Sequence, residues 1–141
     1  MQAADLADVV RVAQAAMLHP WTHRQFATEL AYPKGLCLVA VSGWVCGYAV
    51  CRIAVAEAEL LQLAVEPSVW KNGIGSQLLG AGMTKAREMG AKTCFLEVRK
   101  NNRPARQFYS RNGFIEVGRR KKYYRQPVDD AVIMKKMMSK G

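Results

Sequence analysis

The order of elements in the middle of the chain constrains its fold more than any other feature. An apolar, strand-like run over residues 60–65 is followed by two closely spaced glycines, Gly73 and Gly75, which open a helical pattern. A second apolar run, residues 93–98, precedes a helix for which Asn102 is the predicted N-cap. Strand, glycine loop, helix, strand and capped helix in succession predict a mixed α/β unit.

The glycine loop has the chemistry of an anion site. The run Lys71-Asn72-Gly73-Ile74-Gly75 opens the helix, and Ser76 belongs to its first turn. Closely spaced glycines let backbone N–H groups approach a ligand, and the helix N-terminus behind them carries partial positive charge. The loop matches neither the dinucleotide-binding fingerprint nor the P-loop. Taken alone, it is also compatible with a simple tight turn.

Helical and strand patterns flank this unit on both sides. Apolar spacing predicts a helix over residues 5–17, and a capping box that begins at Thr22 starts a second helix. One hairpin is predicted around Ser42-Gly43. Another joins residues 114–119 to residues 131–137 across a basic, aromatic loop. The predicted fold is a mixed α/β sheet with helices packed on both faces.

Length and composition narrow the remaining choices. The 141 residues suit a single domain, 1–141, that buries roughly two-thirds of its unfolded surface, and no linker or repeat indicates a second. The apolar runs end well before the roughly 18 residues of a membrane span, and the N-terminus lacks a basic signal region, so a cytoplasmic protein is predicted. The four cysteines lie in apolar runs and match no metal-ligand spacing, which favours buried thiols and no metal.

The net charge of +10 has three explanations: a polyanionic small ligand, nucleic acid or simple solubility. The basic residues are spread along the chain, and their densest cluster is at residues 119–122. No helix-turn-helix, zinc-finger or aromatic RNA-binding signature accompanies them. Sequence-specific nucleic-acid binding is therefore not predicted.

Four motifs in a fixed order resemble the GNAT superfamily of acetyl-CoA-dependent N-acetyltransferases, and the resemblance covers most of the chain. In order they read LLQLAVEP, WKNGIGSQLL, CFLEVRKNN and ARQFYSRNGF. Three outer segments, residues 19–22, 120–124 and 129–134, are similar to the RimI-type branch of that superfamily. That branch acetylates the N-terminal alanine of a small-subunit ribosomal protein.

This resemblance implies a central, mostly antiparallel sheet in which two parallel strands, here residues 60–65 and 93–98, splay apart to admit acetyl-CoA. The family's first strand is expected to be short or missing, because only residues 1–4 precede the first helix. Trp70 departs from the family pattern, which commonly has Gln or Arg at that position. The implied cofactor contacts come from Leu63, Ala64, Val65, Lys71, Asn72, Gly73, Ile74, Gly75, Ser76, Asn102 and Tyr109.

The same resemblance assigns the proton transfers. Glu97 matches the family's glutamate and is the implied general base, which takes a proton from the amine directly or through water. Tyr109 matches the tyrosine near the CoA sulfur and is the implied general acid. Glu59 is a rival base but is expected instead to orient the amine. An ion pair with Arg99 or a nearby lysine is the alternative role for Glu97. The reaction needs no covalent enzyme intermediate.

The implied acceptor-binding residues are Trp21, Glu59, Tyr123, Tyr124 and Asp130. Asp130 is expected either to stabilise the loop that carries the two tyrosines or to contact the amine. Loop aromatics with polar tips suit peptide recognition, although a structural role for one of the two tyrosines is equally compatible with the pattern. The two histidines, His19 and His23, are expected to be surface or capping residues and not bases.

The sequence therefore predicts an N-acetyltransferase that uses acetyl-CoA and acts on a protein N-terminus, with the N-terminal alanine of a ribosomal protein as the favoured acceptor. A small-amine, aminoglycoside or lysine acetyltransferase is the alternative among enzymes. It would need an acidic acceptor pocket, for which eleven Asp and Glu residues are sparse. A non-catalytic acyl-CoA-binding or ribosome-associated module is the alternative from another class. Oligomeric state and acyl-chain selectivity carry no sequence signal.

Overall fold

A computed structural model describes residues 1–138 of the chain, which form six strands and four α-helices. The strands are β1 (Gly35–Val41), β2 (Val45–Ala54), β3 (Glu57–Val65), β4 (Thr93–Arg99), β5 (Ile115–Arg125) and β6 (Val128–Met137). The α-helices are α1 (Leu6–Ala16), α2 (His23–Ala31), α3 (Ile74–Glu88) and α4 (Arg103–Arg111). No helix within these residues is long and apolar enough to span a bilayer.

The strands form one mixed sheet in the order β1-β2-β3-β4-β6-β5. Neighbouring strands are antiparallel except β3 and β4, which are parallel and connected through α3. β2 is apolar along nearly its whole length and is buried, because helices cover both of its faces. The predicted fold class is confirmed.

Two apolar cores lie on opposite faces of the sheet. On one face, α1 and α2 pack on β1–β3, and the Phe26 and Tyr48 rings meet edge-on at 5.1 Å. On the other face, Leu79 and Met83 of α3 pack with Leu96 of β4, and α4 borders the same core. Burying a large apolar side chain in this way contributes about 1.5–3 kcal/mol.

The start of α2 follows the predicted capping box. The Gln25 N–H donates to the Thr22 hydroxyl oxygen at 3.2 Å, and the Thr22 N–H donates to the Gln25 side-chain oxygen at 2.8 Å. The Trp21 and Phe26 rings lie 5.3 Å apart across this turn, as the hydrophobic staple requires. The predicted helix start is therefore confirmed.

Two connections differ from the predicted layout. The residues between β3 and α3 form a 3-10 helix, Pro67–Asn72, that the sequence pattern did not indicate. In the last hairpin, Tyr123 and Tyr124 lie within β5 and not in a loop. A bulge at Lys122, whose φ is 51°, interrupts the ladder, and the Asp130 carboxylate accepts the Lys122 N–H at 2.9 Å. Because that N–H is satisfied, pairing resumes beyond the bulge.

Buried thiols and phenols make the fold sensitive to high pH. Burial raises the pKa of Cys51 and of Cys94 from 9.0 to about 12. Burial also raises the pKa of Tyr48 and of Tyr109 above the ordinary value of 10.0. Above about pH 9 the unfolded chain releases protons that the folded chain still holds.

We therefore expect the free energy of unfolding to fall as the pH rises above about 9, by up to about 1.4 kcal/mol per pH unit for each of these groups. Below about pH 8 the four groups are protonated in both states and contribute no slope. Urea unfolding between about pH 8 and 10.5 measures the effect. Tyr48→Phe, which lacks one titrating hydroxyl, should show a shallower fall than the unmodified protein. Stability that does not change over this range would contradict the assignment.

Candidate active site

The parallel strands β3 and β4 separate halfway along their length. Their pairing ends at Leu60 and Leu96, while β3 continues along β2 and β4 continues along β6. A register shift against β2 inserts one extra residue, Leu61, into β3 where the separation begins. Bulges of this kind bend a strand and increase its twist. The sheet is therefore held open as a slot.

A cavity of about 630 Å³ occupies the slot. Its lining includes the segment after α1, on one face of the sheet, and α4, on the other face, so the cavity passes between the layers. Among residues 1–138, no strand pairs with the facing edges of β3 and β4 beyond Leu60 and Leu96. Peptide groups along these edges can bind an extended polar chain, as an added strand would.

The N-terminus of α3 lies between the end of β3 and α4. Gly73 adopts a left-handed conformation with φ 75° and precedes the helix. The first intrahelical bond runs from the Gln77 N–H to the Gly73 carbonyl, so the N–H groups of Ile74, Gly75 and Ser76 precede it and face outward from the helix end. Three such groups with the helix dipole behind them can bind an anion.

Gly75 is required by packing as well as by this helix start. A Cβ atom at Gly75 would lie 3.3 Å from the Phe108 ring of α4 and 3.8 Å from a Val65 methyl group. The first of these distances is tighter than an ordinary van der Waals contact. A side chain here would therefore disturb the α3–α4 contact directly, so substitution of Gly75 does not test anion binding cleanly.

Trp70 has a structural role in the loop before α3. Its indole N–H donates to the Val65 carbonyl and ties the 3-10 helix Pro67–Asn72 to the end of β3. The side chain remains 59% exposed. The Val65 carbonyl therefore already accepts one hydrogen bond before any ligand binds.

Glu97 lies one residue beyond Leu96, the last residue of β4 that pairs with β3. Leu96 and Val98 belong to the core beside α3 and α4, so strand alternation directs Glu97 to the opposite face. Its side chain is 25% exposed, and its ion-pair partner is Arg120, with Nη2 at 4.0 Å from Oε1. Burial and the nearby Glu97 charge raise the pKa of Tyr124, which places the carboxylate close to that phenol. The Glu97 carboxylate therefore borders the slot on the α1–α2 face.

Tyr109 lines the slot from α4, on the other face of the sheet. Its ring packs edge-on against Phe108 at 5.3 Å and Phe114 at 5.7 Å. Burial raises the pKa of Tyr109, so its hydroxyl stays protonated at neutral pH and can serve as a donor. The Asn102 side-chain oxygen accepts the Ala105 N–H at 3.3 Å, and this cap fixes the start of the helix that carries Tyr109.

Side chains from three separate segments meet over the slot at the turn between β5 and β6. Arg99 donates to the Pro127 carbonyl at 2.7 Å and to the Gln126 carbonyl at 3.2 Å, and its guanidinium stacks 4.3 Å from the Tyr124 ring centroid. The His19 Nε2 lies 2.5 Å from the same Gln126 oxygen. We call this set of contacts the roof. It links the α1–α2 connection to the last hairpin.

The buried Asp129 anchors the hairpin to the turn before α4. Its carboxylate accepts the Asn101 N–H at 3.1 Å and the Asp130 N–H at 2.8 Å, and the residue is 8% exposed. Asp130 stabilises the Lys122 bulge, which is one of the two roles expected for it. Both acidic residues therefore shape the lip of the slot through backbone contacts.

The structure brings together only some of the residues predicted for the site. The slot is lined by Leu63, Glu97, Asn102, Tyr109 and Tyr124. The loop residues Lys71 to Ser76 lie outside the cavity lining, at the start of α3, and Ala64 and Val65 are buried within β3. Four predicted acceptor-binding residues do not line the slot: Trp21, Glu59, Tyr123 and Asp130.

Glu59 and Trp21 are removed from the slot for different reasons. Glu59 is exposed on the paired segment of β3, opposite Arg52, before the strands separate. Trp21 is used by its ring contact with Phe26. Of these two glutamates, Glu97 therefore borders the slot and Glu59 does not.

Three residues at the slot had no site role assigned from the sequence: His19, Arg99 and Asp129. His19 was expected to be a surface or capping residue, and Arg99 was considered only as an ion-pair partner for Glu97. All three belong to segments that carry the family resemblance. The hydrogen-bond partners of His19, Arg99 and Asp129 lie 107, 28 and 28 residues away in the sequence. Residue spacing within one motif therefore could not reveal these contacts.

Comparisons with known proteins agree with this geometry. The profile of the acetyltransferase (GNAT) family matches residues 6–114. The chain is 31% identical over 137 residues to a [ribosomal protein bS18]-alanine N-acetyltransferase from Haemophilus influenzae, and the match covers 95% of this chain and 93% of that protein.

Solved structures show the same fold. The ribosomal-protein-S18-alanine N-acetyltransferase from Escherichia coli superposes with a TM-score of 0.90 at 28% identity, covering 100% of this chain and 92% of that one. The paia N-acetyltransferase from Thermoplasma acidophilum, solved in complex with coenzyme A, has a TM-score of 0.82 at 21% identity and covers 97% of this chain and 95% of its own. At that identity the second comparison shows the fold alone.

Proposed function

The chain belongs to the acetyltransferase (GNAT) family of enzymes, and from this premise we propose that it transfers an acetyl group from acetyl-CoA to the N-terminal alanine of a ribosomal protein. The acceptor is the one named for the relative from Haemophilus influenzae and for the Escherichia coli structure. A ribosomal acceptor would place the activity in the cytoplasm.

The observation that carries the proposal is the position of Glu97 and Tyr109 on opposite faces of one slot. β4 directs Glu97 to the α1–α2 face, whereas Tyr109 reaches the slot from α4 on the other face. A base and an acid that are separated by a continuous sheet could not act on one reacting centre. The slot gives both of them access to it.

The residues present fit a long, phosphorylated thioester. The slot offers two unpaired strand edges for a peptide-like arm, and the outward N–H groups of Ile74, Gly75 and Ser76 suit a pyrophosphate. When bound, acetyl-CoA supplies the activated acetyl group. The peptide groups of Leu63 and Val65 would hold the arm, although the Val65 carbonyl is already shared with Trp70.

The positions of Glu97 and Tyr109 on opposite faces of the sheet suggest a separate proton transfer for each residue. Glu97 takes a proton from the acceptor ammonium, directly or through water, and leaves a nucleophilic amine. With acetyl-CoA bound, a peptide N–H at the inner edge of β3 would be placed to stabilise negative charge on the carbonyl oxygen. Tyr109 would supply the proton that the leaving thiol group needs. No covalent enzyme intermediate is needed, and the raised pKa of Cys51 and Cys94 keeps those thiols protonated.

The roof supports an α-amine as acceptor in preference to an internal lysine. Contacts of Arg99 and His19 with the Gln126 carbonyl bridge the α1–α2 connection and the last hairpin above the slot. A peptide whose N-terminal amine reacts can insert that end beneath such a bridge, and the rest of the peptide extends from the site in one direction only. The peptide chain continues on both sides of an internal lysine, so such a substrate needs an open groove. The lysine alternative is therefore less well supported, and the acceptor named for the relatives favours a protein N-terminus over a small amine.

The first prediction tests the phosphate site at the start of α3. Ser76→Asp adds a negative charge beside the three outward N–H groups and should weaken CoA binding about tenfold or more in calorimetry, a penalty of about 1.4 kcal/mol. An acidic residue in the first turn favours the helix by about 0.3–1 kcal/mol, so stability should not fall. Ser76→Asn is the neutral control. Pantetheine, which lacks phosphates, should bind all three proteins alike, and a CoA affinity that Ser76→Asp leaves unchanged would refute the site.

The second prediction separates the acid from the base. Glu97→Gln keeps its shape but cannot accept the amine proton, so kcat at neutral pH should fall about 10²–10⁴-fold. The defect should shrink above about pH 8, where more of the amine is already free. Tyr109→Phe should lose kcat, keep CoA affinity and show no recovery, because high pH removes alternative donors.

Glu59→Gln is the matched control for this pair. It also replaces a β3–β4 carboxylate by an amide, but outside the slot, so its pH–rate profile should follow that of the unmodified enzyme. A normal kcat in Glu97→Gln together with a loss in Glu59→Gln would move the base to Glu59.

The third prediction concerns the acceptor. Incubation with acetyl-CoA and a peptide that begins with Ala and contains internal lysines should give one acetyl group, on the α-amine, by mass spectrometry. The same peptide with a blocked N-terminus should give none. Products on lysine would favour the lysine alternative, and saturable CoA binding without any product would favour a non-catalytic module.

A further inference from the structure

We propose that the outer flank of α4 is a second anion site, which binds the sugar-phosphate backbone of RNA. A cavity of about 530 Å³ lies there, between α4 and the last hairpin. Its polar lining is Arg103, Arg106, Gln107, Ser110, Arg111 and Glu116. None of these residues lines the slot between β3 and β4, so the site is separate from the one used for acetyl transfer.

The five α4 residues of this groove form one polar face of the helix. Positions 103, 106, 107, 110 and 111 follow the three- and four-residue spacing that places side chains on the same side. Arg103 and Arg111 are eight residues apart, about 12 Å along the helix axis. This distance is longer than one phosphate group can bridge. Cations spaced in this way match an extended polyanion.

The arginines are available to a ligand. Within residues 1–138, neither Arg103 nor Arg111 forms an ion pair, and both are exposed. Arg106 donates to the Lys100 carbonyl at 2.8 Å and lies 3.9 Å from Glu116. The one acid in the lining, Glu116, is bound by Arg119 at 2.7 Å. This hydrogen bond lowers the pKa of Glu116, and Arg119 offsets its charge.

The composition of the groove favours a nucleic-acid backbone over a protein. Guanidinium groups bind phosphate oxygens in a bidentate manner, which compact ammonium groups cannot do. The apolar floor, Val132 and Met134, is 0% and 3% exposed, so these two residues offer little surface to the apolar anchors of a protein partner. No aromatic residue lines the groove, so base stacking is not provided. Binding should therefore be independent of sequence and strongly dependent on salt.

The test uses a fluorescein-labelled single-stranded U20 oligoribonucleotide and fluorescence anisotropy over a series of salt concentrations. Three phosphate contacts predict a slope of about −2 for log Kobs against log salt, because each contact on a single strand contributes about −0.7. Arg103→Gln/Arg111→Gln should weaken binding and reduce the steepness of the slope by about 1.4. Arg24→Gln/Lys34→Gln removes the same charge near α2 and should leave the slope unchanged.

Other results would overturn the proposal. Equal weakening of U20 binding by both double variants would show that net charge alone is responsible. Equal affinity for poly-L-glutamate would indicate an acidic-peptide surface. If the Arg103→Gln/Arg111→Gln variant loses CoA affinity, the groove belongs to the cofactor. Normal acetylation of a free peptide shows that this variant is folded. If it is not folded, Arg111→Gln alone, at the end of α4, should reduce the slope by about 0.7.

Discussion

β3 leaves β4 at the Leu61 bulge, and the other parts of the active site depend on that separation. Each strand is still held on its outer side, β3 by β2 and β4 by β6, so the gap cannot close by a shift of either strand. The unmade ladder hydrogen bonds would each contribute only about 0.5–1.5 kcal/mol net, which neighbouring pairs and both cores can offset. The separation opens a passage between the two faces of the sheet. In the proposed mechanism, Glu97 and Tyr109 approach one reacting centre from opposite sides, and neither residue has to serve as both base and acid.

The separation also decides which neighbouring groups are free to react. Asp129 is a buried carboxylate at the same cavity, yet two backbone N–H groups use it, and it acts as an anchor for the hairpin. Arg99 is directed to the turn carbonyls and does not neutralise Glu97. Within residues 1–138, the ion-pair partner of Glu97 is Arg120, at 4.0 Å. In a chain with a net charge of +10, this placement gives an incoming ammonium one accessible carboxylate.

Sequence reasoning succeeded where a structural cause is local. The capping box at Thr22, the helix start after Gly73 and the Asn102 cap each involve residues within a few positions of one another, and their side chains or backbone have few alternative uses. The family resemblance supplied the splayed pair, which no periodicity would reveal. Tyr123 and Tyr124 were misplaced in a loop because the carboxylate that restores pairing across the bulge, Asp130, lies eight residues beyond Lys122. The roof could not be predicted at all, since the His19 contact spans 107 residues.

Trp70 shows how a departure from a family pattern can be accommodated. A cationic or amide side chain at this position would add a polar donor near the helix start, and Trp70 supplies a single donor, the indole N–H, to the Val65 carbonyl. The loop is therefore held in place by a neutral contact, and the anion site relies on backbone N–H groups and on the dipole of α3. Because backbone donors do not depend on side-chain identity, the substitution changes the loop without removing the N–H groups proposed to bind the phosphate. Gly75 is restricted for a different reason, which is packing: a side chain at this position would meet the Phe108 ring.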